Sequence, residues 1–365
     1  MPRILLPVLA LGFAIDPVLV ASKLPKADRI PQAPTAEQAS LVREGVALHD
    51  RRDFEGAIAK YKRVLAENPW EVNALHELAL SYFESKNFQL SLDTARLGAQ
   101  CRSQNLAAFY AMIGNSLDEL GRGNEAIETY RAAIKLNPRM GLLHYNLAIS
   151  LRRAGKTEEA KNAVQRAIEC DPARPSGHAT LGAIYQDMGY RIPAVLAYSR
   201  FLELEPQSER STPILKKLEG LLTEGVDQGK QPNQVTVRIS QTPKGRNGEG
   251  DFTSAEMMMS IVLAASLISK PGEAPKPPAS AYEKLVSLYT SLGESLETSK
   301  PKGGFAATFY APYFAALTKA GHTEAFVAQA WKGGKVEGAS DWADANQSKT
   351  DEFQAWSKAY QWPVN

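Results

Sequence analysis

The sequence predicts an all-α protein: five helical hairpins between residues 38 and 206, a capping helix near 212–224, and a small aromatic-rich helical domain over 251–365. Three observations carry this expectation. Small and large apolar residues recur with a period near 34, a spacing typical of stacked helical hairpins. The pairs Asn137-Pro138, Asp171-Pro172 and Glu205-Pro206 close successive periods, because proline cannot continue a helix and restricts the residue before it. Beyond residue 300, aromatic rings recur at i, i+4, i+5, i+8 and i+9, the spacing of one helical face.

The clearest period holds His178, Leu181, Gly182, Tyr185, Ala194, Tyr198 and Pro206. The same frame selects Tyr110, Ile113, Gly114, Leu117, Ala126, Tyr130 and Pro138, then His144, Leu147, Ala148, Leu151, Ala160, Val164 and Pro172. An earlier unit reads Leu41, Glu44, Gly45, Leu48, Ala57, Tyr61 and Pro69. A weaker one reads Leu75, Leu78, Ala79, Tyr82, Ser91 and Ala95, with Ser103 in place of the final proline. Gly or Ala at 45, 79, 114, 148 and 182 lets the first helix of each hairpin approach the second closely.

This spacing, with His178 where the consensus has Trp, resembles the tetratricopeptide repeat family from about residue 38 to 225. The resemblance implies a right-handed superhelix whose first helices line a groove for a protein or peptide. Stacked hairpins share one core, so the last needs a cap. Ser211 or Thr212, Pro213 and the stripe Ile214, Leu215, Leu218, Leu221 and Leu222 predict that helix, ending before Gly225. Cys101 and Cys170 fall in one slot two repeats apart, too far separated for a disulfide at about 10 Å per stacked unit, so two free thiols are expected.

Arg3, the apolar run Ile4–Ile15 and the small residues of Val20-Ala21-Ser22 predict a secretory signal over 1–22, with an uncleaved anchor as the alternative. The expected location is the bacterial periplasm or beyond. Residues 23–35, with Pro25, Pro31 and Pro34, read as an extended tether that does not pack. With 42 basic and 40 acidic side chains the net charge is only +2, which points to neither nucleic acid nor anionic lipid.

Residues 227–250 read as a linker with one short strand at Val235–Ile239. Gly245, Gly248 and Gly250 lack the strand, helix and Lys-Ser or Lys-Thr ending of a phosphate loop. Thr253 or Ser254 then opens a helix to Lys270, expected to be buried and central, with Met257, Met258 and Met259 in the core. Ser280 caps a helix from Ala281 to about Thr298. Phe305, Phe309, Tyr310, Tyr313 and Phe314 form one ring stripe that Pro312 bends or starts, and they are read as core together with Phe326, Trp331, Trp342, Phe353, Trp356 and Tyr360.

The histidines, His49, His76, His144, His178 and His322, form no metal-ligand spacing, and no nucleophile elbow is present. Neither a metal, a cofactor nor catalysis is therefore expected. His144 and His178 share one slot that packs a ring against the neighbouring unit. In the family's chaperone-tail binders, the groove carries a Lys, Arg and Asn clamp for a terminal carboxylate. At the matching places stand Ala39, Val42, Val46, Ala111 and Met112, so that clamp is missing. The expected groove residues are Asn73, His76, Asn115, Tyr145, Asn146, Arg152 and Gln186, a polar and aromatic lining suited to an extended peptide. The reading is an exported scaffold for protein or peptide partners in the cell envelope. The alternative is an envelope enzyme or glycan-binding protein acting through its C-terminal domain.

Overall fold

The computed structural model describes residues 25–228, 234–238, 248–268 and 279–363. The expected signal segment, 1–22, lies outside them. The chain divides into two compact units, with the boundary between Leu136 and Asn137.

The first unit holds three hairpins: α1 (Ala36–Asp50) with α2 (Phe54–Glu67), α3 (Val72–Glu84) with α4 (Phe88–Gly98), and α5 (Leu106–Glu119) with α6 (Gly123–Leu136). Each helix packs on the next, and the first helices of successive hairpins also touch. Thr35 and Gln38 start α1 with a reciprocal capping box, satisfying amides that the first turn leaves without partners. Arg52, Lys86 and Gly121 occupy the left-handed region between the two helices of each hairpin, and Gly155 and Gly189 do so in the second unit. Only glycine takes this conformation without a Cβ penalty, so Arg52 and Lys86 are strained substitutes.

Segment 25–35 differs from the expected free tether. Arg29 bridges Cys101 in parallel, donating its amide to Gln100 and accepting from the amide of Arg102. Its guanidinium lies 3.9 Å from the centroid of Trp70, and Asn68 Nδ2 donates to the Gln32 carbonyl. The prolines keep this segment extended, and extended backbone is what can pair with the connections after α2 and α4.

In the second unit, α7 (Gly141–Arg153) pairs with α8 (Thr157–Cys170), and α9 (Pro175–Asp187) with α10 (Arg191–Leu204). The capping helix α11 (Ser211–Thr223) packs on α10 and buries Leu215, Leu218, Leu221 and Leu222, as the stripe predicts. A two-stranded antiparallel ribbon follows, β1 (Val226–Gln228) with β2 (Val235–Val237). The remaining helices are α12 (Thr253–Ser266), α13 (Ala281–Ser299), α14 (Ala311–Lys319), α15 (Thr323–Ala330), α16 (Ala339–Ala345) and α17 (Gln347–Ala359). A π-helical turn, Ala306–Tyr310, leads directly into α14, with Pro312 in the first turn of that helix.

The expected division between a hairpin array ending at 226 and a separate domain from 251 is not a division between two cores. Every residue from Arg191 to Glu203 is buried, because α10 is enclosed by α9, α11, α12, α15 and the π-turn. In the other direction, α12 is less buried than its composition suggests. Met259 is inside, but Met257, Met258 and Ile261 are exposed, since α12 packs mainly on α13 and presents its other face outward. Of the five-ring stripe, Phe309, Tyr310, Tyr313 and Phe314 are buried core as expected, while Phe305 is only half-buried.

The close helix approach has a compositional signature that the repeat frame alone does not reveal. A Cβ on Gly45, Gly114 or Gly182 would collide with the ring of Tyr61, Tyr130 or Tyr198 on the paired helix. In the second and fourth hairpins Ala79 and Ala148 take the glycine's place, and the facing tyrosine slot holds Ala95 and Val164. Two interlocks therefore alternate: glycine with tyrosine, and alanine with a small residue. At Gly182 the added carbon would stand 2.5 Å from Tyr198 Cδ1. We predict that Gly182→Ala costs about 1–3 kcal/mol through overpacking, and that adding Tyr198→Val recovers part of it. Thermal denaturation of the single and double variants checks this, since equal melting temperatures for wild type and Gly182→Ala would contradict the interlock.

Candidate functional site

The expected groove residues lie on the first helices of their hairpins. In the first unit, Asn73 is exposed and His76 half-buried on α3. Asn73 donates to Glu71 Oε1 and accepts from Asn105, while His76 Nδ1 is 3.2 Å from Glu77 Oε1 and its ring meets Phe109 edge-on. Asn115 on α5 accepts a 2.6 Å hydrogen bond from the Tyr130 hydroxyl. Ala111 and Met112, at places where a carboxylate clamp would stand, are buried.

In the second unit, Tyr145 and Asn146 on α7 are half-buried and Arg152 is exposed, donating to Asp187 Oδ2 at 3.2 Å. Gln186 on α9 accepts from the Tyr198 hydroxyl at 3.0 Å. Asn115 and Gln186 thus satisfy the hydroxyls of two interlocking tyrosines, Tyr130 and Tyr198, a structural duty the sequence does not reveal. Arg210, at the start of α11, adds a charge outside the expected groove residues. It donates to Ser176 Oγ at 3.0 Å, pairs with Glu205, and its pKa is raised, first by that pairing and in small part by Tyr145.

The second helices carry a different chemistry. Three buried polar clusters join α8, α9 and α10 to segments far along the chain. Glu249, in the Gly-rich stretch read as linker, is buried and receives Lys161 Nζ at 3.2 Å, the Tyr185 hydroxyl at 2.8 Å, Gln165 Nε2 at 3.1 Å and the Ala306 amide at 3.0 Å. Burial pulls the Lys161 pKa down, but Glu249 and Glu158 outweigh it and the group lies above the ordinary lysine range. The carboxylate also pins the first turn of the π-helix, whose early amides lack helical partners.

The second cluster centres on Glu203. Its Oε1 accepts from Arg200 Nη1 at 2.5 Å, the Tyr313 hydroxyl at 2.6 Å and Ser357 Oγ at 2.5 Å. A buried charge pair is tolerable only when hydrogen bonds satisfy most of its remaining capacity. Here the supply falls short by two atoms, since Glu203 Oε2 and Arg200 Nε have no hydrogen-bond partner. In the third cluster Arg191 donates to the Leu221 and Leu222 carbonyls, ending α11, and lies 3.5 Å from Glu256 of α12.

His178 corrects the expectation that its slot only packs a ring. Its Nε2 lies 2.9 Å from the Pro172 carbonyl and its Nδ1 2.7 Å from the Tyr310 hydroxyl. The carbonyl can only accept, so Nε2 carries the proton and Nδ1 accepts from Tyr310. Burial, aided by Arg200, pushes the His178 pKa down to about 3. His144 repeats the first contact one hairpin earlier, with Nε2 2.9 Å from the Pro138 carbonyl. Each histidine thus hydrogen-bonds the carbonyl of the proline that closes the preceding hairpin.

Cys101 is buried, Cys170 is exposed, and both are free. Among the described residues no group of three His, Cys, Asp or Glu side chains could hold a metal, and no helix is long and apolar enough to cross a membrane.

The tetratricopeptide repeat family profile matches residues 42–105 and 111–175. Hsp70-Hsp90 organizing protein 1 of Glycine max is 27% identical over 176 residues, 47% of this chain and 29% of its own length. Cell division cycle protein 27 homolog A of Arabidopsis thaliana is 29% identical over 121 residues, 33% of this chain and 16% of its own length. The chain thus spans less than a third of these relatives. A crystal structure of a thermophilic TPR protein of Thermus thermophilus aligns with 51% of this chain and 98% of its own, at 20% identity and a TM-score of 0.42.

Proposed function

We propose that this chain, a member of the tetratricopeptide repeat family, is a protein-binding scaffold that holds an extended peptide on the first-helix face of its hairpins. The observation that carries the proposal is the unequal covering of the second unit. Of its second helices α10 is enclosed on every side, and the ion pair of Lys161 on α8 with Glu249, joined by Tyr185 near the end of α9, is buried too, although α8 keeps one face exposed. On the first-helix side Tyr145, Asn146 and Gln186 keep part of their surface in water and Arg152 is exposed. A tyrosine ring beside amides and a guanidinium supplies both apolar contact and hydrogen bonds to peptide backbone.

Export to the bacterial envelope, resting on the expected signal over 1–22, belongs to the same proposal and is tested by fractionating cells that express the tagged chain. The glycan-binding alternative has less support, because most rings of the Phe305–Phe314 stripe are committed to packing. In the second unit Tyr145, Asn146 and Arg152 are the side chains we assign to partner contact; in the first unit, taken by itself, Asn73 and His76 have the same role. Asn115 and Gln186 act mainly by holding tyrosine hydroxyls.

Changing Tyr145 and Asn146 together to Ala in the full chain tests the groove. Partner capture by crosslinking is expected to fall about tenfold or more, the loss of one good contact being worth at least about 1.4 kcal/mol. The melting temperature should move little, because both side chains are only half-buried. Undiminished capture would put the interface elsewhere.

A further inference from the structure

The turn after α17 contains an occupied aromatic site. At Tyr360 the backbone turns extended (φ −61°, ψ 128°), and the chain continues as Gln361, Trp362 and Pro363. Gln361 and Pro363 are exposed, whereas Trp362 is half-buried. Its indole stacks on Phe309 with centroids 4.6 Å apart and on Tyr313 at 4.7 Å, each with an interplanar angle of 21°. Tyr360 meets it edge-on at 5.1 Å, and the Arg200 guanidinium lies 4.9 Å from its centroid.

Two further features set this pocket apart from ordinary core. The first is its backbone: Phe309 belongs to the π-helical turn and Tyr313 to the α-helix that follows, so the ring platform spans a π–α junction. Such junctions are rare and occur often at functional sites. The second is the manner in which the indole is held. Among the described residues the one hydrogen bond made by Gln361–Pro363 is local, from Gln361 Nε2 to the Ala359 carbonyl. The indole is therefore what fastens this segment to the platform, while beneath it Arg200 Nε remains without a partner. The other contacts of α17 with the body do not share this character: Ser357 and Phe353 are buried in the core.

We propose that Phe309, Tyr313, Tyr360 and Arg200 form a receptor for a tryptophan on an extended segment, which Trp362 fills in cis and a partner's tryptophan fills in its place. The occupant's chemistry is read from the resident one. An indole offers a large π face to two stacked rings and a guanidinium, and an extended backbone lets it enter without a helix. The site is separate from the first-helix groove and does not depend on it.

The test uses the full chain with Trp362→Ala and Trp362→Phe and, as probe, a fluorescent N-acetylated peptide of residues 359–365. Circular dichroism and melting are recorded alongside. We expect the Ala variant to stay folded and bind the peptide at least tenfold more tightly than wild type. The Phe variant should fall between them, and a peptide with its tryptophan changed to alanine should not bind. A folded Ala variant that binds no more tightly than wild type would overturn the proposal. So would an Ala variant that does not fold, since Trp362 would then be a core residue. Wild-type dimers that Trp362→Ala abolishes would assign the pocket to exchange between copies and likewise overturn it.

Discussion

Glu203→Ala is expected to destabilise the full chain by about 3–5 kcal/mol, the cost of stranding a buried charge. Arg200 would lose its carboxylate partner in a place where water cannot replace it, and the Tyr313 and Ser357 hydroxyls would lose their acceptor. The double change Arg200→Met with Glu203→Leu removes both charges while keeping volume, and such replacements are often neutral or stabilising. Urea unfolding should therefore rank the double variant well above the single one. A single variant as stable as wild type would mean that α10 and the helices after residue 300 do not share this core.

The second large effect is on acid sensitivity. His178 has a folded pKa of about 3, against an ordinary histidine value of 6.5. A depressed histidine pKa means that the folded state keeps the ring neutral while the unfolded chain takes up a proton. The stability this group contributes is therefore complete above pH 6.5 and falls as the pH drops from 6.5 towards 3. The slope approaches about 1.4 kcal/mol per pH unit only below pH 6.5, where the unfolded ring is mostly protonated, so roughly 1.5 kcal/mol is lost between pH 6.5 and 5. His178→Gln keeps a donor for the Pro172 carbonyl and does not titrate, so its urea midpoint should fall less over that interval. Parallel pH profiles for the two proteins would exclude His178 as the acid-sensitive group.

Much of the hairpin array is readable from the sequence because its determinants are local. The 34-residue frame, the terminal prolines and the stripe from Ile214 to Leu222 each act within a few turns of one another. What the sequence conceals is long-range pairing. Glu249 sits among glycines and looks like linker, and nothing nearby announces that Lys161 and Tyr185 will converge on it. Met257 and Met258 are expected in the core by composition, but burial depends on what packs against a helix, and one face of α12 is exposed. The polar duty of His178 is hidden for a different reason: the slot usually holds an indole, and only the position of the Pro172 carbonyl shows that a donor is needed there. Of the groove residues, the sequence places each on a first helix but cannot tell Asn115, engaged by Tyr130, from Arg152, which reaches out to Asp187 at the surface.

The alternating interlocks also constrain the order in which this chain can change. Moving from a glycine–tyrosine pair to an alanine–valine pair takes two substitutions, and the two orders are not equivalent. Adding the methyl group first drives it into the Tyr198 ring, whereas trimming the ring first leaves a void beside Gly182 that the later methyl partly fills. Both intermediates are less stable than either end state, so each hairpin type sits in its own basin, and exchanging one helix between unlike hairpins carries the mismatch with it. Duplication of whole hairpins avoids the barrier, because both halves of the interlock travel together.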